Sequence, residues 1–332
     1  MKVFITGANG FIGSNLCRHF LARGWDVHGL ARKSSDLHFL GGVDIALAFG
    51  DLQDPGSFAI PEGTDLVVHA ASITSDLAND ETCRKNILLL AVNLAGKFQG
   101  LARPPKRLVF ISTALTLGFG ASDISEAHPG RSAEFLPYVR YKIEAEKFLL
   151  GEWRERGLPV VILRPSDVYG PYDRTTCVKM LQVCERGFPL IVGRGNRRFG
   201  YCYVGNLCQA VERASLKEGI EGRAFTVTNG RLPTWREFFA DIQREFGRRQ
   251  RVYVPAGLVF AVAGGMTLVR KFRPAYEPTL NYYRVKRVTS ETTYDISRTV
   301  ADLGYVPDDR LERQIGEIAA WYRREKKDGF IQ

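Results

Sequence analysis

The first thirteen residues, M-K-V-F-I-T-G-A-N-G-F-I-G, constrain this chain more than any other stretch. Residues 3–6 are a short apolar, β-branched run entering Gly7, Gly10 and Gly13 at three-residue spacing, and a helical pattern begins directly afterwards. That order predicts a strand, a tight turn and a helix start. The turn needs residues without a Cβ so that backbone N–H groups can approach a pyrophosphate. The helix N-terminus adds unpaired donors and partial positive charge. A glycine triplet alone also fits a merely structural turn. Its place at the head of an alternating β and α pattern favours a seat for a dinucleotide.

Further strands are expected at 26–30, 45–49, 66–69, 108–112 and 159–163, with helical pattern over 80–100 and 137–155. Each strand is followed by a crossover long enough for a helix, which implies a parallel sheet. The expected class is α/β, with a Rossmann-type doubly wound sheet over 1–165. Residues 166–332 read as a smaller, irregular, mainly substrate-binding region, with segments near 200–230 returning to the Rossmann core. Ligands of such sheets sit at the carboxyl ends of the strands.

Composition narrows the partners. A formal charge of +10 over 332 residues is spread along the chain, and its densest clusters (Arg248, Arg249 and Arg251; Arg270, Lys271 and Arg273; Arg323, Arg324, Lys326 and Lys327) are C-terminal. That distribution argues against nucleic-acid binding. The six cysteines form no C-x-x-C pair and read as reduced core residues of a cytoplasmic protein. The five histidines lack ligand spacing, so no metal site is expected. No signal peptide is expected, because the first apolar run is committed to the glycine turn. The nearest approach to a membrane span, 252–269, begins after Arg251 and is interrupted by Pro255, Gly257, Gly264 and Gly265.

Two features carry chemistry. Tyr138, Lys142 and Glu146 stand at i, i+4 and i+8 of a helical pattern and so share one face. A lysine ammonium one turn from a tyrosine is expected to lower the phenol pKa and let it exchange a proton with a carbonyl or alcohol oxygen. Tyr141 competes for the role but has no lysine at i+4. Ser112 and Thr113, after the strand R-L-V-F-I, offer hydroxyls to the same substrate oxygen.

In chain order, T-G-A-N-G-F-I-G (6–13), G-D-L (50–52), H-A-A-S (69–72), Asn86-Ile87, F-I-S-T (110–113), Tyr138 with Lys142, L-R-P-S-D-V-Y-G-P (163–171) and Y-V-G-N-L (203–207) span nearly the whole chain. In these motifs it resembles the extended short-chain dehydrogenase/reductase superfamily, in the branch that includes NAD-dependent epimerases and dehydratases. The resemblance implies that Gly7, Gly10 and Gly13, with Phe11 and Ile12, seat the pyrophosphate. It implies that Asp51 and Leu52 meet the adenine and that Ala70 and Ala71 line the cofactor cleft. Thr113, Tyr138 and Lys142 would form the catalytic triad, the latter two also contacting the cofactor, and Pro165 with Val168 would hold the nicotinamide amide. Thr113 is preferred to Ser112 because it stands four residues before Leu117-Gly118, where relatives carry Tyr-Gly.

Arg32 and Lys33, at the end of the second strand, suit the extra 2′-phosphate of NADP(H), with NAD(H) as the other option. Asp167 stands where nucleotide-sugar enzymes of the superfamily usually have asparagine. This departure resembles the 3β-hydroxysteroid dehydrogenase side, which acts on alcohols and ketones of apolar molecules. F-T-V-T-N-G (225–230), V-Y-V-P (252–255), Y-D-I-S-R (294–298) and L-G-Y-V-P (303–307) are similar to the same pattern. The expectation is an oxidoreductase acting on a small hydrophobic substrate. One rival is a nucleotide-sugar epimerase, dehydratase or reductase with Arg174, Arg194, Arg197 or Arg198 as diphosphate clamp. The other is a cofactor sensor without turnover. The 256–273 segment reads as a lid, as a peripheral contact with an anionic membrane, or as a buried core helix with a charged end. The resemblance also implies a homodimer through the helices at 80–100 and 137–155.

Overall fold

The protein is seen in a computed structural model that describes residues 1–187, 190–249, 252–273 and 275–331; Arg251 of the basic cluster lies outside the described residues. The first half alternates as its apolar pattern demands. In order come β1 (Lys2–Thr6), α1 (Phe11–Ala22), β2 (Asp26–Ala31), β3 (Ala46–Phe49), β4 (Leu66–His69), α2 (Asp80–Cys83) and α3 (Leu89–Gln99). Then follow β5 (Arg107–Ile111), α4 (Pro137–Arg156) and β6 (Val160–Pro165). A π turn over Arg84–Leu88 joins α2 to α3, so the helical pattern expected at 80–100 is one nearly continuous helix. α4 has Pro137 in its first turn, where a missing N–H costs nothing, and stops at Gly157, which takes the left-handed conformation at φ 69°.

The second half is built from shorter pieces. These are β7 (Asp167–Tyr169), α5 (Cys177–Glu185), β8 (Leu190–Val192), β9 (Tyr201–Tyr203), α6 (Val204–Leu216) and β10 (Arg223–Val227). α7 (Trp235–Glu245), β11 (Val252–Val254), α8 (Ala256–Phe272), α9 (Tyr282–Thr289), α10 (Ser297–Leu303) and α11 (Leu311–Lys327) complete it. Seven strands form one sheet in the order β10-β6-β5-β4-β1-β2-β3, and every pairing is parallel. β7 pairs with β9 and β8 with β11 in two small parallel ribbons.

Because side chains alternate along a strand, β1 feeds both faces of the sheet. Val3 and Ile5 join Leu16, Phe20 and Trp321 in one core, while Phe4 joins Val67, Leu94, Phe110 and Leu149 in the other. With helices on both faces, β4 and β5 can be buried throughout, which is why they read as continuous apolar runs. The winding direction reverses at β1, whose neighbours are β2 and β4. A crevice therefore opens beyond its carboxyl end.

The Y-V-G-N-L and T-N-G motifs turn out to tie the C-terminal segment down. Asn206 donates to Asn229 Oδ1 at 2.8 Å and to the Asp308 carbonyl at 2.9 Å, while Asn229 Oδ1 also accepts from the Tyr203 N–H at 2.8 Å. The six cysteines are free and buried. Among the described residues no helix is long and apolar enough to cross a membrane.

The core-helix reading of the 256–273 segment is corrected. α8 buries only Val259 and Ala263 and exposes Leu258, Val262, Leu268, Val269 and Phe272. Its inner side meets a satellite cluster with Val285 of α9 and the β8 and β11 ribbon, which is too small to cover the rest of the helix.

Candidate active site

The glycine turn closes the crevice from below. Gly7 takes φ +68°, and its N–H and that of Ala8 both reach the Leu30 carbonyl of β2, at 3.1 and 3.2 Å. A Cβ on Gly7 would come within 2.8 Å of Ala71 Cα, and one on Gly13 would overlap the Gly7 carbonyl oxygen. The turn thus brings β1, β2 and the residues after β4 together as closely as backbones allow. Gly10 caps α1 without a side-chain hydrogen bond, and no acidic residue occupies the first turn. The donors at Phe11 and Ile12 therefore point out of a helix end that carries partial positive charge and no compensating side chain. This cradle fits the pyrophosphate of a dinucleotide.

The other expected cofactor residues lie at or beyond the ends of the strands. Ala71 is in contact with the glycine turn, and Ala70 lies half-buried beside it. Arg32 and Lys33 are exposed one and two positions beyond β2. Asp51 holds its own turn, its carboxylate accepting from the Gln53 N–H at 2.9 Å, and the buried Leu52 presents its carbonyl to Asn93 at 2.7 Å. Pro165 is buried at the end of β6, and Val168 is half-buried on β7.

The face of α4 carrying Tyr138, Lys142 and Glu146 lies against the carboxyl ends of β5 and β6. Each residue engages it at a different point. Tyr138 stands beside Thr113, whose hydroxyl favours the phenolate. Lys142 donates from Nζ to the Ile111 carbonyl at 2.8 Å. Buried Glu146 takes a short hydrogen bond from Ser112 and a forked pair from Arg164, with contacts of 2.6 to 3.1 Å. Ser112 is thereby committed to structure, and Thr113 is the hydroxyl that meets the tyrosine.

The expected electrostatics are corrected. Burial pushes the Tyr138 phenol up, the Thr113 hydroxyl opposes it in part, and Lys142 is not among the leading groups that act on it. Burial likewise brings Lys142 down to about 7, with Glu146 opposing. An ammonium lowers a neighbour's pKa only while charged and close, and here Nζ turns toward the Ile111 carbonyl and the Phe110 ring instead. The structure sets Thr113 beside Tyr138 and places Lys142 one turn along α4 from Tyr138.

Sequence reading did not identify the residues that C-terminal elements bring to this site. Arg287 of α9 pairs with Asp167 of β7 and donates to the Tyr283 hydroxyl at 2.9 Å. Burial works against its charge, but Asp167 holds Arg287 firmly protonated. Tyr283 packs with Leu115, Phe119, Leu136 and Val139, a cluster that Tyr138 joins. Arg284 makes a forked pair with Asp76 after β4, at 2.7 and 2.8 Å, anchoring α9 over the strand ends. The departure at Asp167 was the one available signal, and it pointed to no partner. Arg174 and Arg198, weighed as diphosphate clamps, are paired with Asp36 and Glu291, while Arg194 and Arg197 are exposed.

His69, at the end of β4, is fully enclosed. Its Nδ1 shares a hydrogen bond of 2.8 Å with Thr6 Oγ1, its Nε2 has no partner, and burial, helped by nearby Lys142, lowers its pKa to about 3.

The family model described as "NAD dependent epimerase/dehydratase family" matches residues 3–228. Sterol demethylase protein B of Methylococcus capsulatus is 28% identical, over 97% of this chain and 98% of its own. A 3-beta-hydroxysteroid dehydrogenase of Mycolicibacterium neoaurum is 26% identical, over 97% of this chain and 91% of its own. Among solved structures, UDP-glucuronic acid 4-epimerase from Bacillus cereus, in complex with NAD, superposes with a TM-score of 0.76 at 19% identity and covers 98% of each chain. The likeness to that structure is one of fold.

Two outcomes check the site. Gly13→Ala should cost roughly 1 to 3 kcal/mol of stability through overpacking and weaken dinucleotide binding, read by urea unfolding and titration; an unchanged midpoint would mean the turn is not closed on α1. A histidine kept neutral by burial makes the unfolded chain bind the extra proton below pH 6.5, so stability falls as pH drops from there toward 3. His69→Gln should reduce the loss between pH 6.5 and 4.5 by roughly 2 to 3 kcal/mol, and an identical pH slope in both proteins would refute the assignment.

Proposed function

Because the chain belongs to the NAD-dependent epimerase/dehydratase family, we propose that it is a nicotinamide-dependent oxidoreductase interconverting a secondary alcohol and a ketone on a hydrophobic, sterol-like or lipid-derived substrate. The observation that carries this reading is the surroundings of Tyr138. It sits among Leu115, Phe119, Leu136 and Tyr283, and the cation nearby, Arg287, is already paired with Asp167. A site of this kind favours an apolar body with a single polar oxygen over a diphosphate, whose charge would need an unpaired guanidinium. The names of the two curated relatives support the same substrate class.

In this reading Gly7, Gly10, Phe11, Ile12 and Gly13 hold the pyrophosphate, Ala70 and Ala71 line the cleft, and Asp51 with Leu52 borders the adenine. Pro165 and Val168 border the nicotinamide. The cofactor, when bound, supplies the hydride chemistry. Tyr138 passes the proton to or from the substrate oxygen, and Thr113 orients that oxygen through the hydroxyl that already meets the phenol. Lys142, held by the Ile111 carbonyl, supports the floor beneath Tyr138. The basic pair Arg32 and Lys33 favours NADP(H) over NAD(H). The exposed Arg194 and Arg197 favour the second reading, a nucleotide-sugar epimerase, dehydratase or reductase.

Calorimetry with NADPH, NADH, a sterol-ketone panel and UDP-glucose, followed by turnover assays, separates the two. NADPH binding followed by apolar-ketone turnover is expected, with Tyr138→Phe lowering kcat at least about a hundredfold and leaving dinucleotide affinity within about threefold. UDP-glucose affinity with no ketone turnover would overturn the substrate class. Unchanged turnover in the Phe variant would overturn the mechanism.

A further inference from the structure

The outward side of α8 is an apolar surface that no other element among the described residues covers. Leu258, Val262, Gly265, Leu268, Val269 and Phe272 recur at i, i+4, i+7, i+10, i+11 and i+14 and are all exposed. Phe272 is 77% exposed and Leu258 58%. This spacing gathers them into one stripe along the helix. The stripe is distinct from the inner side, where Val259 and Ala263 pack on Val285 of α9.

Charge selects the occupant. Residues 252–276 contain no Asp or Glu, whereas Arg270, Lys271 and Arg273 cluster at the end of the stripe. Arg270 turns inward to the Leu77 carbonyl at 2.9 Å, but Lys271 and Arg273 are exposed. A second copy packed stripe to stripe would meet these cations with a helix that carries no acidic residue of its own. An apolar stripe bordered by unpaired cations matches a helix lying in the interface of an anionic bilayer.

We propose that the outer face of α8 docks on anionic phospholipid membranes, lying in the headgroup region without crossing it. The inner side of α8 packs on α9, whose Tyr283 and Arg287 stand beside Tyr138. Docking therefore sets the roof of the site next to the lipid. The inference goes beyond the reading of the site and does not depend on it.

The test is co-sedimentation of the full chain with vesicles of phosphatidylglycerol and phosphatidylcholine in equal parts, and with phosphatidylcholine vesicles alone. The wild type should partition at least about tenfold more strongly onto the anionic vesicles. The double variant Leu268→Asp with Phe272→Asp should lose about tenfold of that binding. Lys271→Glu with Arg273→Glu should reduce binding to the anionic vesicles to the level seen on neutral ones. All these side chains are exposed, so the urea midpoint and NADPH affinity should stay unchanged and report that the variants are folded. Absence of wild-type binding to anionic vesicles, or equal binding by the Asp variant, would overturn the proposal. So would a concentration-dependent dimer that the same variant abolishes, which would assign the face to a second copy.

Discussion

The site depends on a buried carboxylate. Glu146 sits inside α4 where β5 and β6 end, and a carboxylate there is tolerable only because Arg164 and Ser112 satisfy its oxygens. That cluster locks the register of α4 against the sheet. Once the register is set, Lys142 meets the Ile111 carbonyl one turn earlier and Tyr138 meets Thr113 one turn before that. Arg164 reaches further, to Glu126 at 2.7 Å, and links this seam to the long segment between β5 and α4. The residues proposed to do chemistry are positioned by residues with no such role.

The same logic of close approach governs the cofactor end. Gly7 and Gly13 have no room for a side chain because the turn is pressed between α1 and Ala71. The parallel sheet brings the two ends together. β1 and β5 flank β4, so the glycine cradle and the face of α4 stand at the carboxyl ends of neighbouring strands of one sheet.

Most of the first half was legible from residue order. Strand positions matched the observed ones within about two residues, because an apolar run buried on both faces has few other uses. The share of site chemistry read from motifs was smaller. The Tyr138 and Lys142 spacing correctly puts both on one face, but spacing says nothing of where Nζ turns or how deeply the phenol is enclosed. The expected lowering of the Tyr138 pKa failed because burial outweighs a lysine that points elsewhere. Asn206 and Asn229 were seen as parts of a pattern, and only their partner at Asp308 shows that they are ties. In 252–269, hydropathy alone could not tell an inward face from an outward one, because apolar residues occupy both.

By itself the sequence determined the parallel α/β sheet, the glycine cradle at its head, and the polar face of α4, since each is a local pattern whose periodicity or missing Cβ dictates its geometry. Only the tertiary structure decided how those parts are tuned: which hydroxyl meets Tyr138, that Arg287 arrives from 120 positions beyond Asp167 to neutralise it, and that α8 keeps its apolar stripe outside. Burial and ion pairing depend on residues distant in the chain, and their effect on charge exists only once folding has removed the water between them.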